Sequence, residues 1–258
     1  MTIIRRVIYP GSGIGVPDEL VRSQLLPTEQ LNMVPTPLGE KVALISHPPP
    51  GDGKGKWTIF LYGNDWTLAR TVHIRLALAG QNAGSVCVDY PGFGLSTGEP
   101  SEKGCRRAAD AALAFLRNEY AIGSSNVTVI GWSLGSAVAV DLAVRRRLDG
   151  LVLLSPMTSI VGVLLDKLGI RSPGASSVGP FNSAGKISRV GCDVLIISGL
   201  DDRICPPYMA ADLARRLGRS KVENIILPGV GHNDLLRRGP ALWDPAGKFI
   251  HRAATQWP

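Results

Sequence analysis

The sequence contains a serine, a histidine and two adjacent carboxylates in settings typical of nucleophilic catalysis. Ser133 is the centre of the pentapeptide GWSLG, His232 lies in PGVGHND, and Asp201 and Asp202 lie in GLDDR. A serine hydroxyl is a weak nucleophile at neutral pH, so it needs a base within hydrogen-bond reach and a third group that holds this base in the correct tautomer. The chemistry that these residue types predict together is acyl transfer.

The residues around Ser133 predict a strand, a sharp turn and a helix. Val127, Val129 and Ile130 are β-branched and apolar, as in a strand that is buried on both faces, and residues 137–144 are small or apolar apart from Asp141. Gly131 and Gly135 flank the serine because so tight a turn leaves no room for a Cβ. Five letters could match by chance in a chain with 30 glycines. Their context favours a nucleophile at a helix N-terminus, where free N–H groups stabilise an oxyanion.

A second oxyanion donor is expected in the loop that follows an earlier strand. Residues 57–62 predict this strand, and Gly63 after it lets the backbone approach a reacting carbon. We therefore expect the backbone N–H groups of Asn64 and Leu134 to form the oxyanion hole. A glycine at this position is also compatible with a simple strand end, and this alternative stays open.

His232 is the histidine best placed to act as the base. His47 lies in a proline-rich loop, and His73 lies in a predicted helix. His251 is near the end of the chain. His232 follows the last predicted strand, residues 223–227, and the two adjacent carboxylates follow the predicted strand before it. Both loops therefore lie at the carboxyl ends of strands, the edge where α/β sheets place their sites.

Length and composition indicate a globular protein with enough apolar residues to form one large core. The chain has 258 residues, of which 45% are hydrophobic and 19% charged, so we expect one domain over residues 1–258. No stretch reaches the roughly 18 apolar residues that span a bilayer, and the start lacks the apolar core of a secretory signal. These features predict a soluble, cytoplasmic protein. Cysteines without metal spacing predict reduced thiols and no zinc site, namely Cys87, Cys105, Cys192 and Cys205.

The formal net charge of +7 admits two interpretations. A basic excess can bind nucleic acid or an anionic membrane surface. The arginine clusters are dispersed and no aromatic-rich motif accompanies them, so we expect solvated helix faces and no nucleic-acid partner. Peripheral contact of the N-terminal residues with an anionic membrane is the second interpretation. The clusters are Arg5–Arg6, Arg106–Arg107, Arg145–Arg147, Arg215–Arg216 and Arg237–Arg238.

Two stretches before residue 62 carry specific expectations. Residues 1–40 contain five prolines and predict an extended arm that holds at most one short strand, at residues 3–9. The segment HPPPGDGKGK separates two predicted strands, residues 41–46 and 57–62. Its prolines, glycines and lysines predict an exposed hairpin loop.

Residues 155–192 predict an insertion between two strands. An apolar helix over residues 157–168 and a loop over residues 171–180 favour a small lid, and an ordinary crossover helix packed on the sheet is the alternative. Large apolar side chains near the expected site predict a pocket that prefers acyl chains. The candidate substrate-binding residues are Trp66, Phe93, Trp132, Leu164 and Leu165.

Four longer motifs permit a comparison with a known family. DYPGFGLSTGEPSE, VIGWSLGSAVAVDLA, FNSAGKISRVGCDVLIISGLDDRICPP and LPGVGHND, which lie between about residues 41 and 238, resemble the α/β-hydrolase fold serine hydrolases. The resemblance implies an α/β fold with a mostly parallel, eight-stranded twisted sheet, helices on both faces and a small lid. The family pattern G-x-x-D-x-x-[VI]-P, bracketed here by Gly199 and Pro206, implies that Asp202 is the acid. Tyr62 departs from the family, which usually has a histidine before the glycine.

The same resemblance implies a function. A serine hydrolase would cleave a carboxylic ester or thioester through an acyl-enzyme, with a triad of Ser133, His232 and Asp202 and with neither cofactor nor metal. Its substrate would be a small molecule or an acylated lipid or protein. Relatives that remove acyl groups from protein cysteines begin with a cysteine-rich, lipidated segment, which residues 1–40 do not have. A small serine peptidase or amidase, and a pocket that binds a ligand without turnover, remain alternatives, and the oligomeric state stays unknown.

Overall fold

The computed structural model describes residues 7–51, 53–170, 177–217 and 222–252. Contacts divide the chain into two units, Met1–Val127 and Thr128–Pro258. Eight strands lie in the described residues, which is the number that the sequence predicts. The single domain over residues 1–258 stays a prediction.

The first unit contains a four-stranded sheet. Its elements are α1 (Asp18–Ser23), β1 (Gln30–Pro35), β2 (Lys41–His47), β3 (Trp57–Leu61), α2 (Val72–Ala79), β4 (Gly84–Val88) and α3 (Glu102–Tyr120). The strands pair in the order β1-β2-β4-β3, and only β3 and β4 are parallel. Every residue of β3 and β4 is buried, which explains their continuous apolar runs. Helix α3 packs against β1, β2 and β4, and α2 packs against β4.

The expectation of an extended arm over residues 1–40 is wrong in two respects. This segment contains regular structure, α1 and β1, and β1 pairs antiparallel with β2. Of the expected strand over residues 3–9, Val7 and Ile8 are helical and Tyr9 has no regular structure, whereas residues 3–6 lie outside the described residues. The prolines in this segment were interpreted as excluding regular structure. An edge strand tolerates proline, however, and Pro35 is the last residue of β1.

The expected hairpin between β2 and β3 is also wrong, because β4 lies between these strands. Leu44 of β2 pairs with Val88 in an antiparallel register, and Phe60 of β3 pairs with Cys87 in a parallel register. The connection therefore crosses two strand spacings, about 10 Å in total, which a loop of this length spans easily. Pro- and Gly-rich composition predicts a loop but does not determine which strand lies beside it.

The second unit contains a parallel sheet. Its elements are β5 (Val127–Trp132), α4 (Leu134–Arg145), β6 (Gly150–Leu154), α5 (Ile160–Lys167), β7 (Val194–Gly199), α6 (Pro207–Arg216), β8 (Val222–Leu227) and α7 (Pro240–His251). The strands pair in the order β5-β6-β7-β8, and all of these pairs are parallel. β5, β6 and β7 are buried along their whole length. The carboxyl ends of the four strands therefore meet at one edge of this sheet.

Helices cover both faces of this second sheet. A Cβ built on Gly131 of β5 would meet α4, whereas one built on Gly150 of β6 would lie 2.7 Å from the ring of Phe249 in α7. Gly150 pairs with Thr128, and Thr128 and Gly131 have opposite parity along β5, so the two glycines face opposite sides. Helices α4 and α7 therefore pack on different faces, and helices on both faces are what the family resemblance implies.

Two helices of the second unit, α5 and α7, can be compared with the helices predicted from the sequence. Helix α7 was not predicted, although its buried residues Leu242, Trp243, Ala246, Phe249 and Ile250 follow helical spacing. Helix α5 lies within the expected apolar helix, and Gly162 is its only buried residue. This exposure argues against a crossover helix packed on the sheet. The first part of the expected loop, residues 171–176, lies outside the described residues.

Neither unit contains a helix, within the described ranges, that is long and apolar enough to cross a membrane. All four cysteines are buried and free, as the sequence predicts. Burial raises the pKa of the Cys87 and Cys192 thiols to about 12, so both stay protonated near neutral pH.

A buried carboxylate holds together the loops at the carboxyl edge of the first sheet. Asp89, directly after β4, accepts the Tyr62 hydroxyl and the N–H of Leu68 at 2.8 Å on one oxygen, and the N–H of Leu95 at 3.0 Å on the other. Gly94 has φ 49°, and a Cβ there would lie 2.1 Å from the carboxylate. The tyrosine that departs from the family pattern therefore has a defined partner. Burial raises the pKa of Asp89 to about 6, and these donors offset only part of that effect.

This raised pKa predicts a particular pH dependence of stability. Because folded Asp89 holds its proton up to a higher pH than the unfolded chain does, the free energy of unfolding should fall by about 3 kcal/mol as pH rises from about 4 to about 7. Asp89→Asn cannot titrate and should lack this contribution. Urea unfolding across this pH range measures the difference between the two proteins. Parallel profiles for the native protein and Asp89→Asn would contradict the assignment, and Asp201→Asn, at an exposed position, is the control.

Candidate active site

Ser133 joins β5 to α4 in a backbone conformation that L residues rarely adopt. Its φ is 54° and its ψ is −120°. Its N–H donates to the carbonyl of Leu154 at 3.0 Å, and its own carbonyl accepts the N–H of Ser136 at 3.0 Å and the Ser136 hydroxyl at 2.6 Å. A Cβ on Gly131 would lie 2.5 Å from the carbonyl oxygen of Gly135, so only glycine fits there. The sharp turn expected from the sequence is present.

His232 follows β8 and is buried beside the serine. Its Nε2 lies 2.9 Å from Ser133 Oγ, and its Nδ1 lies 2.7 Å from Asp202 Oδ2. An ionised carboxylate only accepts hydrogen bonds, so Nδ1 carries the proton. Nε2 is then the acceptor that faces the serine hydroxyl. This arrangement can withdraw a proton from that hydroxyl.

Asp202 follows β7 and is the carboxylate that meets the imidazole. Its Oδ1 accepts the N–H groups of Ile204 at 2.9 Å and Cys205 at 2.8 Å, which leaves Oδ2 for His232. Burial raises the pKa of Asp202, but the hydrogen bond and charge of His232 and the N–H of Cys205 outweigh this effect and hold the pKa below its usual range. Asp202 is therefore ionised at neutral pH. The side chains of Asp201 and Asp234 are exposed.

Two residues that contact this constellation were not predicted in that role. Trp132, expected to bind substrate, is buried and packs its indole on the ring of His232, with centroids 5.4 Å apart and an interplanar angle of 32°. Ser155 directly follows β6 and is fully buried at φ 42°. Its hydroxyl helps to lower the pKa of Asp202, although Ser155 Oγ makes no hydrogen bond within the described residues. A serine after a buried parallel strand was the available signal, because that position lies at the same sheet edge.

The remaining expected site residues lie at separate places in their units. In the first unit, Asn64 donates its side-chain amide to the carbonyl of Ile8 at 3.0 Å, and Trp66 is half-buried with its ring 5.5 Å from that of His73. Phe93 is buried against the rings of Tyr9, Tyr62 and Tyr90. In the second unit, Leu134 is the first residue of α4, where N–H groups lack intrahelical partners, and Leu164 and Leu165 lie on α5. Their roles toward a substrate stay predictions.

The described residues show no place prepared for a metal ion. Within residues 7–51, 53–170, 177–217 and 222–252, no three His, Cys, Asp or Glu side chains form a group that could hold one.

Sequence comparison places the chain in a family. Residues 51–184 match the α/β hydrolase family. An uncharacterised protein of Mycobacterium tuberculosis is 31% identical over 252 residues, which cover 97% of this chain and 88% of the relative. The human α/β-hydrolase domain-containing protein 17C is 32% identical over 181 residues, which cover 69% of this chain and 53% of that relative. The chain belongs to the α/β hydrolase family, and this membership supports hydrolase activity.

Solved structures agree with the fold. An α/β hydrolase of Vibrio vulnificus has a TM-score of 0.75 at 21% identity. The match covers 96% of this chain and 94% of the V. vulnificus chain. An esterase of Pyrococcus furiosus has a TM-score of 0.73 at 17% identity. The match covers 88% of this chain and 91% of the esterase chain. At these identities the similarity concerns the fold. The fold class predicted from the sequence is confirmed.

The close contact at the turn yields a prediction. Gly131→Ala should push β5 and α4 apart, because the added Cβ would also lie 2.7 Å from Ser136 Cα and from Ala139 Cβ. Such overpacking costs about 1–3 kcal/mol or more. Urea unfolding measures the loss. Gly15→Ala is the control, since a Cβ there meets nothing within 4 Å, and equal stabilities of the two variants would show that the turn tolerates a side chain.

Proposed function

We propose that this α/β hydrolase is a serine hydrolase that cleaves carboxylic esters or thioesters through an acyl-enzyme. Ser133 is the nucleophile, His232 is the general base and then the general acid, and Asp202 positions His232. A small serine peptidase or amidase and a binding protein without turnover are the competing functions.

One observation carries this proposal: the unbroken pair of hydrogen bonds that links the three side chains. The 2.9 Å and 2.7 Å distances are those of a base ready to accept the serine proton and of a carboxylate that orients the base. The three residues follow β5, β7 and β8, so they come from rigid strands at one edge of the second sheet. Histidine, carboxylate and serine meet in this way in acyl transfer.

The reaction follows from these roles. Ser133 Oγ attacks the carbonyl carbon while its proton passes to His232 Nε2, and the electron pair of the carbonyl moves to its oxygen. As the tetrahedral intermediate collapses, the bond to the leaving alcohol or thiol breaks and His232 returns the proton to that group. Water then attacks the acyl-enzyme in the same manner and releases the acid and Ser133.

The negative charge on the carbonyl oxygen needs donors that are already in place. We assign one donor to the backbone N–H of Leu134, because it is the first N–H of α4 and lies next to the nucleophile. The second donor predicted from the sequence is the backbone N–H of Asn64, which follows β3 and Gly63 in the first unit, and its role stays a prediction. Each donor of this kind contributes about 10²-fold or more to the rate.

Exposed apolar side chains in the second unit favour an acyl group as the substrate. On α5, Leu164 is 42% exposed, and Leu168, just after this helix, is 72% exposed. Ile204, two residues after Asp202, is 40% exposed. The Tyr208 hydroxyl of α6 donates to Asp166 at 2.6 Å and ties α5 to the element that follows the Asp202 loop. An acyl chain would remove this apolar surface from water.

Covalent labelling tests the function. The native protein should react with a fluorophosphonate probe and turn over acyl esters or acyl thioesters faster than peptides. Ser133→Ala should lose labelling and nearly all turnover with little change in stability, because only one hydroxyl is removed. Full labelling of Ser133→Ala would exclude this nucleophile. Absence of labelling in the native protein would favour a binding protein, and preference for peptides would favour a peptidase.

The choice between adjacent carboxylates gives a second test. Asp202→Asn should present the wrong tautomer of His232 to the serine and lower kcat by roughly 10⁴-fold. Asp201→Asn and Asp234→Asn are matched controls, because both side chains are exposed, and each should keep kcat within a few-fold. Initial rates with the preferred ester measure all three variants. A large loss in Asp201→Asn together with near-normal Asp202→Asn would reverse the assignment.

A further inference from the structure

A basic cleft lies in the second unit, away from the triad. Its volume is about 390 Å³, and four arginines line it together with apolar and small residues. Three of the arginines are consecutive in sequence, Arg145, Arg146 and Arg147, whereas Arg189 comes from the loop before β7. The fold therefore brings a fourth guanidinium to a triplet from which it is 42 residues distant in sequence. A solvated helix face accounts for the triplet but not for this convergence.

The cleft is at the end of the sheet opposite to Ser133. Arg145 is the last residue of α4, whose first turn begins at the nucleophile, so the two ends are about 18 Å apart along the helix. The lining residues Leu148 and Cys192 each lie two residues before β6 and β7 begin, at the amino ends of these strands. A ligand in the cleft is therefore not the group that reacts at Ser133.

Two of the four guanidiniums in the cleft, those of Arg147 and Arg189, have no carboxylate partner within the described residues. None of the nine lining residues is an aspartate or glutamate. Arg145 is held by Asp141 at 2.8 Å, and Asp141 also binds Lys186 at 2.8 Å, so this carboxylate is already shared. Arg147 and Arg189 make no ion pair with any residue in the described ranges. Two exposed guanidiniums thus face a concave surface without a counter-charge.

The groups at the floor of the cleft do not pair with these two guanidiniums either. The carboxylates beside Cys192 have other partners, since Asp149 accepts the Thr128 hydroxyl and Asp193 pairs with Arg252. Cys192 is buried there, and burial raises the pKa of its thiol to about 12, so it is neutral at physiological pH. The α4 helix also ends at the cleft, and its dipole favours a cation near Arg145. One helix end offsets only about half an elementary charge, which is less than the combined charge of Arg147 and Arg189.

We propose that this arginine cleft is a binding site for a compact polyphosphate group, either of a soluble molecule or of a phosphorylated lipid headgroup. Guanidinium forks match phosphate oxygens with paired, charge-assisted hydrogen bonds. A concave wall of one sign concentrates the field on such a ligand. The volume falls in the range of small-molecule sites and holds a diphosphate or triphosphate group. Neither the hydrolase activity nor the triad requires this site, so it can be tested independently of them.

Calorimetric titration of the full-length protein with pyrophosphate tests the site. The native protein should bind saturably, and Arg147→Gln/Arg189→Gln should weaken binding by at least about tenfold, since two charge-assisted contacts are lost. The control is Arg117→Gln/Arg215→Gln, which removes the same charge from exposed arginines outside the cleft and should stay within about twofold. No saturable binding by the native protein, or equal weakening in both double variants, would overturn the proposal.

Vesicles separate the two sources of the phosphate. Phosphatidylcholine vesicles with and without a phosphatidylinositol bisphosphate should be compared in co-sedimentation with the same double variants. Binding that requires the phosphorylated lipid and is lost only in Arg147→Gln/Arg189→Gln supports a headgroup site. Pyrophosphate binding without vesicle binding supports a soluble ligand. Vesicle binding that both double variants lose equally reflects net charge and contradicts a headgroup site. Unchanged urea unfolding midpoints of the variants show that they are folded, whether or not the protein is a serine hydrolase.

Discussion

The backbone of Ser133 is held at φ 54° and ψ −120°, and the second unit depends on this constraint. A non-glycine residue in such a region costs on the order of 1–3 kcal/mol, so the surroundings must enforce it. They do so from both sides of the peptide: Leu154 of the neighbouring strand accepts the serine N–H, and Ser136 donates twice to the serine carbonyl. The same contacts join β5, β6 and α4. The geometry that exposes the hydroxyl to His232 is thus also the geometry that connects sheet and helix.

Backbone hydrogen bonds join the loop that carries Asp202 to the loop that carries His232. Leu200 N–H donates to Leu227 O at 2.9 Å, and Asp201 N–H donates to Val230 O at 3.0 Å. A Cβ on Gly199 would lie 2.1 Å from that Val230 oxygen, so the loops approach at a glycine. Because this hydrogen bond fixes the backbone of Asp201, the side chain of Asp202 points inward toward His232. This backbone link accounts for the choice between two chemically identical neighbours.

Helix α4 relates the two sites of the second unit. The candidate nucleophile lies at its N-terminus, where the helix favours negative charge, and the arginine cleft lies at its C-terminus, where the helix favours positive charge. Asp141, one turn before the end, binds Arg145 and Lys186 and fixes that terminus. In the first unit, Asp89 has a similar organising role, since it collects donors from three separate segments. Buried carboxylates with several donors therefore hold the loops of both units.

The sequence by itself determined what depends on local chain geometry. The turn at Ser133, most strand positions and the loops that carry the candidate triad could be predicted, because glycines, β-branched runs and loop positions act over a few residues. The choice of Asp202 over Asp201 came from the resemblance to a family and not from these local patterns. Only the tertiary structure decided which strand lies beside β2, that residues 1–40 supply β1, and that α7 covers one face. It also decided that Trp132 packs on His232 and that Arg189 joins Arg145–Arg147. These features depend on contacts between residues distant in sequence, which no local pattern encodes.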